Sequence, residues 1–347
     1  MSKNYFQDLK KSDGAYWINN PTLEEMKLSL EQGAVSGTTN PAFCSRLATA
    51  EREHLIEIID DVLQSETDIE KAANIVYQKA TKYFMDAFMG VYEESGGEFG
   101  YVTIQSDPRF DECKEHIIAD VEVCRKLSPN YMAKIPMIVG SVDAIEYCLE
   151  NNIPVCVTEV FAISQMIHSC ELYEKVAERT GNRPPYFVTH ITGIFDEYFE
   201  KIVKRDNIDI APEILHQAGL IIARKQYRLM KERGYPGIVL GGGARRMDHL
   251  TGMMGGDAHV TINWSTVVEV MESPVELSDE VHKDAAAEVI EELRAKLSDF
   301  RKAYDDDGLT FEEFAEFGPV QLFRNAFLKG WYTLLAEVAG RKNVLAI

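Results

Sequence analysis

The sequence predicts an α/β fold, a (β/α)8 TIM barrel, and two observations carry that prediction. Eight short apolar runs rich in Val, Ile, Thr, Tyr and Phe recur along the chain, separated by helical stretches. Strands alternating with helices build right-handed βαβ units and a parallel sheet, and eight such units are enough to close it. The second observation concerns the rival, an open doubly wound sheet. That fold normally carries a glycine-rich fingerprint after its first strand, whereas here the first strand runs into NNPT.

The eight runs are AYWIN (Ala15–Asn19), AVSGTTN (Ala34–Asn40), YVTIQ (Tyr101–Gln105), YMAKIP (Tyr131–Pro136), VCVTEVF (Val155–Phe161), YFVTHI (Tyr186–Ile191), GIVLGG (Gly237–Gly242) and HVTIN (His259–Asn263). Each is short, β-prone and bounded by Gly, Pro, Asn or another polar residue. Between the first two, PTLEEMKLSLEQG predicts a helix closing on Gly33 at C′. SVDAIEYCLENN predicts another, with Ser141 as N-cap. PEILHQAGLIIARKQYRLMKERG reads as one long amphipathic helix ending on Gly234. Two regions exceed the barrel's minimum. Pro41–Gly100 is a helical insertion of two helices after strand two, and residues 264–347 form a C-terminal helical extension packed on the barrel, clearest in SDEVHKDAAAEVIEELRAKL. The expected organisation is therefore one domain over 1–347.

Of 347 residues 46% are hydrophobic, enough for one large core. The net charge of −20 argues against non-specific contact with nucleic acid or an anionic membrane. An anionic substrate would need a basic pocket working against that field. Six scattered cysteines without a CxxC pair read as reduced, mostly buried thiols. The polar first residues lack a signal peptide's apolar region, and no apolar stretch of about 18 residues exists, so the expectation is a cytoplasmic protein. No spacing suited to a metal is present, so no metal is expected, and there is no P-loop or GxSxG elbow.

Barrel sites lie at the C-terminal strand ends, which here means Asn19, Thr38-Thr39-Asn40, Gln105, Lys134, Thr158, Phe187, His190, the Gly241–Gly243/Arg245 loop and Asn263. Lys134, between Met132-Ala133 and Ile135-Pro136, stands out because lysine is almost never buried without a partner or a task. Either it reaches solvent or a carboxylate, or desolvation keeps its amine neutral and nucleophilic. The triple glycine before Arg245 and Arg246 reads either as an anion-binding nest or as a turn. Glu159, inside a buried run, either pairs with a helix arginine or serves as an acid/base. His168 and His249 read as structural or surface residues, and Asp107-Pro108-Arg109 as a turn.

SGTTNPAF (Ser36–Phe43) resembles the second-strand GVTTNP signature of the transaldolase family. YMAKIPMIVGSVDAIEYC resembles the segment around that family's Schiff-base lysine. VCVTEVFAISQ, PYFVTHITGIFDEY and GGGARRMDHLTGMMGGDAHVTIN are similar to its later strands, in the same order. The resemblance implies a class I aldolase, either a transaldolase of sugar phosphate metabolism or a fructose-6-phosphate aldolase. In that chemistry a lysine imine with a ketose is cleaved to a bound dihydroxyacetone enamine, which passes to an aldehyde. It places the imine on Lys134, a catalytic water between Thr158 and Gln105, and donor hydroxyls on Asn19 and Asn40, with Thr38 shaping the donor pocket. Phe187 would wall the donor side, and Arg245 with His190 would bind the tail. The resemblance implies no cofactor, because the protonated imine is itself the electron sink. The implied partners are a small ketose and an aldehyde, and the implied assembly is a homo-oligomer.

Departures from the family pattern qualify this. The family's first-strand aspartate falls on Asn19, the third-strand glutamate on Gln105, the fifth-strand asparagine on Cys156 and the sixth-strand arginine on His190. An amide cannot exchange protons near neutral pH, so three readings stay open: a held water, a substitute such as Glu159, or a catalytically impaired sugar-binding protein. Losing a bidentate arginine removes about 1.5–3 kcal/mol of anion binding, so the expected tail is uncharged or a different anion.

Overall fold

The computed structural model describes residues 5–273 and 275–346. In chain order it contains α1 (Tyr5–Leu9), β1 (Ala15–Asn19), α2 (Leu23–Gln32), β2 (Ser36–Thr38), α3 (Ala42–Ala50), α4 (Arg52–Leu63), α5 (Ile69–Glu94) and β3 (Val102–Gln105). Next come α6 (Lys114–Cys124), β4 (Tyr131–Pro136), α7 (Val142–Glu150), β5 (Val155–Thr158), α8 (Ile163–Thr180), β6 (Tyr186–His190), α9 (Thr192–Asp206), α10 (Pro212–Leu215), α11 (Ala218–Arg233) and β7 (Ile238–Gly241). The chain ends with α12 (Asp248–Thr251), β8 (His259–Ile262), α13 (Trp264–Glu272), α14 (Ala287–Lys296), α15 (Ser298–Tyr304) and α16 (Gly318–Leu345). The strands are parallel and close in sequence order, β8 returning to β1 through Ala15–His259 and Ile18–Ile262. This is the (β/α)8 barrel that the strand–helix alternation predicts.

Alternation along each strand sends every second side chain inward. Trp17, Tyr101, Met132, Phe187 and Leu240 make one apolar layer inside the barrel, with the Trp17 and Phe187 rings 4.8 Å apart. His259 closes that layer, its Nδ1 accepting the Trp17 indole N–H at 3.1 Å. One inward step further along lie Asn19, Thr38, Lys134, Thr189 and Thr261. Burial is apolar at one level and polar at the next, and the polar level forms the floor of the site.

Local chemistry explains the helix ends, and it corrects several expectations. Thr22 and Glu25 form a reciprocal capping box on α2, and Gly33 closes that helix at φ +95°. Ser141 stands at the N-cap of α7, but its hydroxyl donates back to the Pro136 and Ile138 carbonyls instead. The segment expected to hold two helices holds three, because Glu51 (φ −136°) breaks α3 from α4. The stretch beginning PEIL is broken too, with α10 ending at Leu215 and α11 starting at Ala218. Helix α14 begins only at Ala287, so residues 278–286 are not helical. Among the described residues no helix is long and apolar enough to cross a membrane.

Helix α16 matters most for the site. It lies against α3 so closely that a Cβ on Gly330 would sit 2.2 Å from the Pro41 carbonyl oxygen. That seating brings Phe323, Ala326 and Phe327 over the C-terminal mouth of the barrel.

Candidate active site

A cavity of about 120 Å³ lies at the C-terminal strand ends, under α16. The sector formed by β8, β1 and β2 is polar. There the Thr38 hydroxyl sits 3.0 Å from Asn19 Oδ1 and 2.6 Å from Thr261 Oγ1. Asn19 donates through Nδ2 to Asn263 Oδ1 at 2.8 Å. Asn20, held at φ +42°, exchanges side-chain and backbone bonds with Asn40. Such a chain of amides and hydroxyls fixes its members' rotamers and leaves unused donors and acceptors facing the cavity.

Lys134 reaches into this space from β4. It is 5% exposed, and among the described residues no carboxylate lies within ion-pair distance of its amine. Its Nζ stands 5.7 Å from the centre of the Phe327 ring. Burial pulls its pKa below the ordinary lysine value, against the opposing pull of the Cys156 thiol and Glu159.

Glu159 completes the centre. It follows β5 in a left-handed conformation, φ +61°, which a non-glycine residue adopts only where its surroundings enforce it. The effect is to turn a carboxyl group into the barrel, where Gln105 donates to Oε1 at 3.4 Å. Burial raises its pKa to about 7, with Gln105, Lys134 and Arg324 acting in the opposite sense. Asp111, wholly buried nearby, is also pushed up, first by desolvation and then by the Glu159 charge. Of the two expectations for Glu159, its surroundings match neither alone: Lys134 and Arg324 of α16 both bear on it electrostatically, and its side-chain partner is Gln105.

The remaining expected residues fall in four places. Asn19, Thr38, Asn40 and Arg245 line the cavity together with Lys134. Gln105 and Thr158 are buried beside it, and Gln105 Oε1 and Thr158 Oγ1 both lack a hydrogen-bond partner. Phe187 lies in the apolar layer below, packed on Trp17 and His259. His190 requires a correction. Its Nδ1 is 3.1 Å from the Val160 carbonyl, and its ring packs edge-on against Phe161 and Phe195. It therefore faces the surrounding helices, and Thr189 is the β6 residue that lines the cavity. Burial lowers its pKa to about 4, so the ring is neutral and no anion clamp.

The glycine loop also serves another purpose than an open anion nest. A Cβ on Gly243 would fall 2.6 Å from Ile191 Cγ2, and one on Gly193 would fall 2.0 Å from the Gly243 oxygen. These glycines let the β6 and β7 ends pack together. The Gly242 amide is spent on the His190 carbonyl and the Arg245 amide on His249 Nδ1. His249 in turn pairs through Nε2 with Asp196, which also binds Arg246. Arg245 itself is half exposed, with Glu197 3.8 Å away.

Sequence reasoning missed Phe323 and Phe327, Arg324, Thr189 and Asp111. The first three have no local signal, since only the path of α16 places them, whereas alternation along β6 was the signal for Thr189. Asp111 is one carboxylate among many in DPRFDEC until burial singles it out.

Comparison with known proteins adds a separate line. The family model described as Transaldolase/Fructose-6-phosphate aldolase matches residues 16–316. The transaldolase of Thermobifida fusca is 26% identical over 167 residues, covering 46% of this chain and 45% of that protein. The transaldolase of Acidothermus cellulolyticus is 23% identical over 244 residues, covering 65% and 64%. The chain thus spans about half the length of the first curated relatives it matches. A crystal structure of 2,3-dimethylmalate lyase overlays on 96% of this chain and 97% of that one at 10% identity, with a TM-score of 0.28, too low to carry an argument.

Proposed function

The chain belongs to the transaldolase/fructose-6-phosphate aldolase family, and from that premise we propose that it is a Schiff-base enzyme cleaving a ketose, or passing its dihydroxyacetone unit to an aldehyde. The observation that carries the reading is a buried Lys134 in a cavity at the C-terminal strand ends, with no carboxylate bonded to its amine among the described residues and with the buried Glu159 bearing on it electrostatically.

The neutral Lys134 Nζ attacks the ketose carbonyl, and water leaves to give a protonated imine. In cleavage the proton of the adjacent C4 hydroxyl passes to the Glu159 carboxylate, the C3–C4 bond breaks and the aldehyde departs. The electron pair remains as an enamine, with the iminium acting as its sink. Protonation at carbon and hydrolysis by water return dihydroxyacetone and free Lys134. When an aldehyde intercepts the enamine instead, the outcome is transfer. A carboxyl group with a pKa near 7 suits this two-way traffic, because a general acid/base works best near ambient pH. It answers the loss of acidity at Asn19 and Gln105 and favours catalysis over sugar binding alone. Gln105 holds Glu159, and the unpartnered oxygens of Gln105 and Thr158 suit a bound water. Asn19, Thr38 and Asn40 take the donor hydroxyls.

Solvent-deuterium exchange into dihydroxyacetone, followed by proton NMR, tests the enamine step without an acceptor. Wild type is expected to wash in deuterium and Lys134→Ala is not. A variant that exchanges as fast as wild type would refute the lysine's role.

A further inference from the structure

The cavity is lopsided. Hydroxyls and amides lie on the β8–β1–β2 side, while across from them the wall is Ile191 and Ile194 beyond β6, Phe323 and Phe327 from α16, and Gly243. Cys156 and Thr189 lie between, with Sγ and Oγ1 3.2 Å apart and so satisfied by each other. All four large apolar side chains are less than a tenth exposed. Apart from Lys134, the cation lining the cavity is Arg245, at the mouth, half exposed and facing Glu197. The neighbouring Arg246 is spent on Asp196 and Asp248, and two amides of the glycine loop are spent on His190 and His249. A phosphate placed here would exchange water for isoleucine and phenylalanine, which is costly for any anion without matched donors. A hydrocarbon tail would gain from the same walls.

Building on the proposed Schiff-base reading, we infer that the tail subsite between β6, β7 and α16 accepts an unphosphorylated, alkyl-terminated ketose, whose cleavage releases a short aliphatic aldehyde. The donor end keeps its hydroxyls on Asn19, Thr38 and Asn40. The carbon chain beyond the broken bond lies against Ile191, Ile194, Phe323 and Phe327. The reaction balances as before: the ketose gives dihydroxyacetone and an alkyl aldehyde, and the water lost at the imine returns on hydrolysis. Selectivity comes from the wall residues Ile191, Ile194 and Phe323 along the tail, while Phe327 also stands beside the Lys134 amine.

Calorimetry with two ligands tests the subsite apart from the chemistry. One ligand is the aldol adduct of dihydroxyacetone and butanal, and the other is fructose 6-phosphate. Both are titrated into wild type and Lys134→Ala. The alkyl ketose is expected to bind about tenfold tighter or better in both proteins, as three buried carbons would give. Ile194→Arg, which sets a guanidinium in the wall, is expected to reverse the order. Equal or tighter binding of fructose 6-phosphate by wild type overturns the inference, as does failure of the alkyl ketose to bind at millimolar concentration. Borohydride trapping of dihydroxyacetone runs alongside. Alkyl-ketose binding without a trapped adduct keeps the subsite and removes the imine, whereas trapping without alkyl preference does the opposite.

Discussion

Glu159 occupies a backbone conformation that costs on the order of 1 kcal/mol or more for a non-glycine residue, and its buried carboxyl adds a desolvation cost. Both are accounted for if the group moves protons. The ionised form accepts the hydroxyl proton in cleavage, and with a pKa raised to about 7 that form grows as pH rises through neutrality. The cleavage rate is therefore expected to climb with an acid-limb midpoint near 7. Glu159→Gln should lower kcat by roughly 10²–10⁴-fold and abolish that limb, while Lys134 still traps a ketone. A wild-type limb unchanged in the variant would show that another group does the work. The sequence displayed both charges openly, since lysine and glutamate inside apolar runs are anomalies in themselves. It did not display where they point. Glu159 comes directly after Thr158, the last residue of β5, and its positive φ turns it towards Gln105. His190 was misplaced for the complementary reason, as alternation puts Thr189 inside and His190 outside.

Strands of a parallel barrel are covered on both faces and read as unbroken apolar runs, which is why YMAKIP marks β4 and AYWIN marks β1 to the residue. Helix limits were less legible. The residues of PEILHQAG suit a helix, yet α10 and α11 separate at His216 and Gln217, where Gly219 approaches Asp196 and donates to its carboxylate at 2.8 Å. Helix α16 illustrates competing terms. By propensity Gly330→Ala should stabilise an interior helical position by about 0.5–1 kcal/mol. By packing, the added methyl group meets the Pro41 carbonyl at 2.2 Å and Ala42 Cα at 2.7 Å, both backbone atoms unable to yield cheaply. Overpacking costs about 1–3 kcal/mol, so packing wins. Gly330→Ala is expected to unfold at lower urea concentration and, by lifting Phe323 and Phe327, to lose activity. A variant of unchanged or greater stability would mean that α16 has room to shift, and that its hold on the site is looser than the geometry says.

Across the whole molecule the surface charge of −20 and the interior chemistry agree. A strongly anionic body repels anionic ligands at low ionic strength, and the tail side of the cavity offers them little in return. Charge was readable from composition, but the apolar wall was not, because Phe323 and Phe327 come from a helix almost two hundred residues away from Lys134 in the chain. The proposed function rests on one covalent bond, the imine at Lys134. Intact mass after incubating the protein with dihydroxyacetone and sodium borohydride tests it most directly, with wild type and Lys134→Ala side by side. One reduced three-carbon adduct is expected on wild type and none on the variant. Equal labelling of both, or a folded wild type that gains no mass, would contradict it.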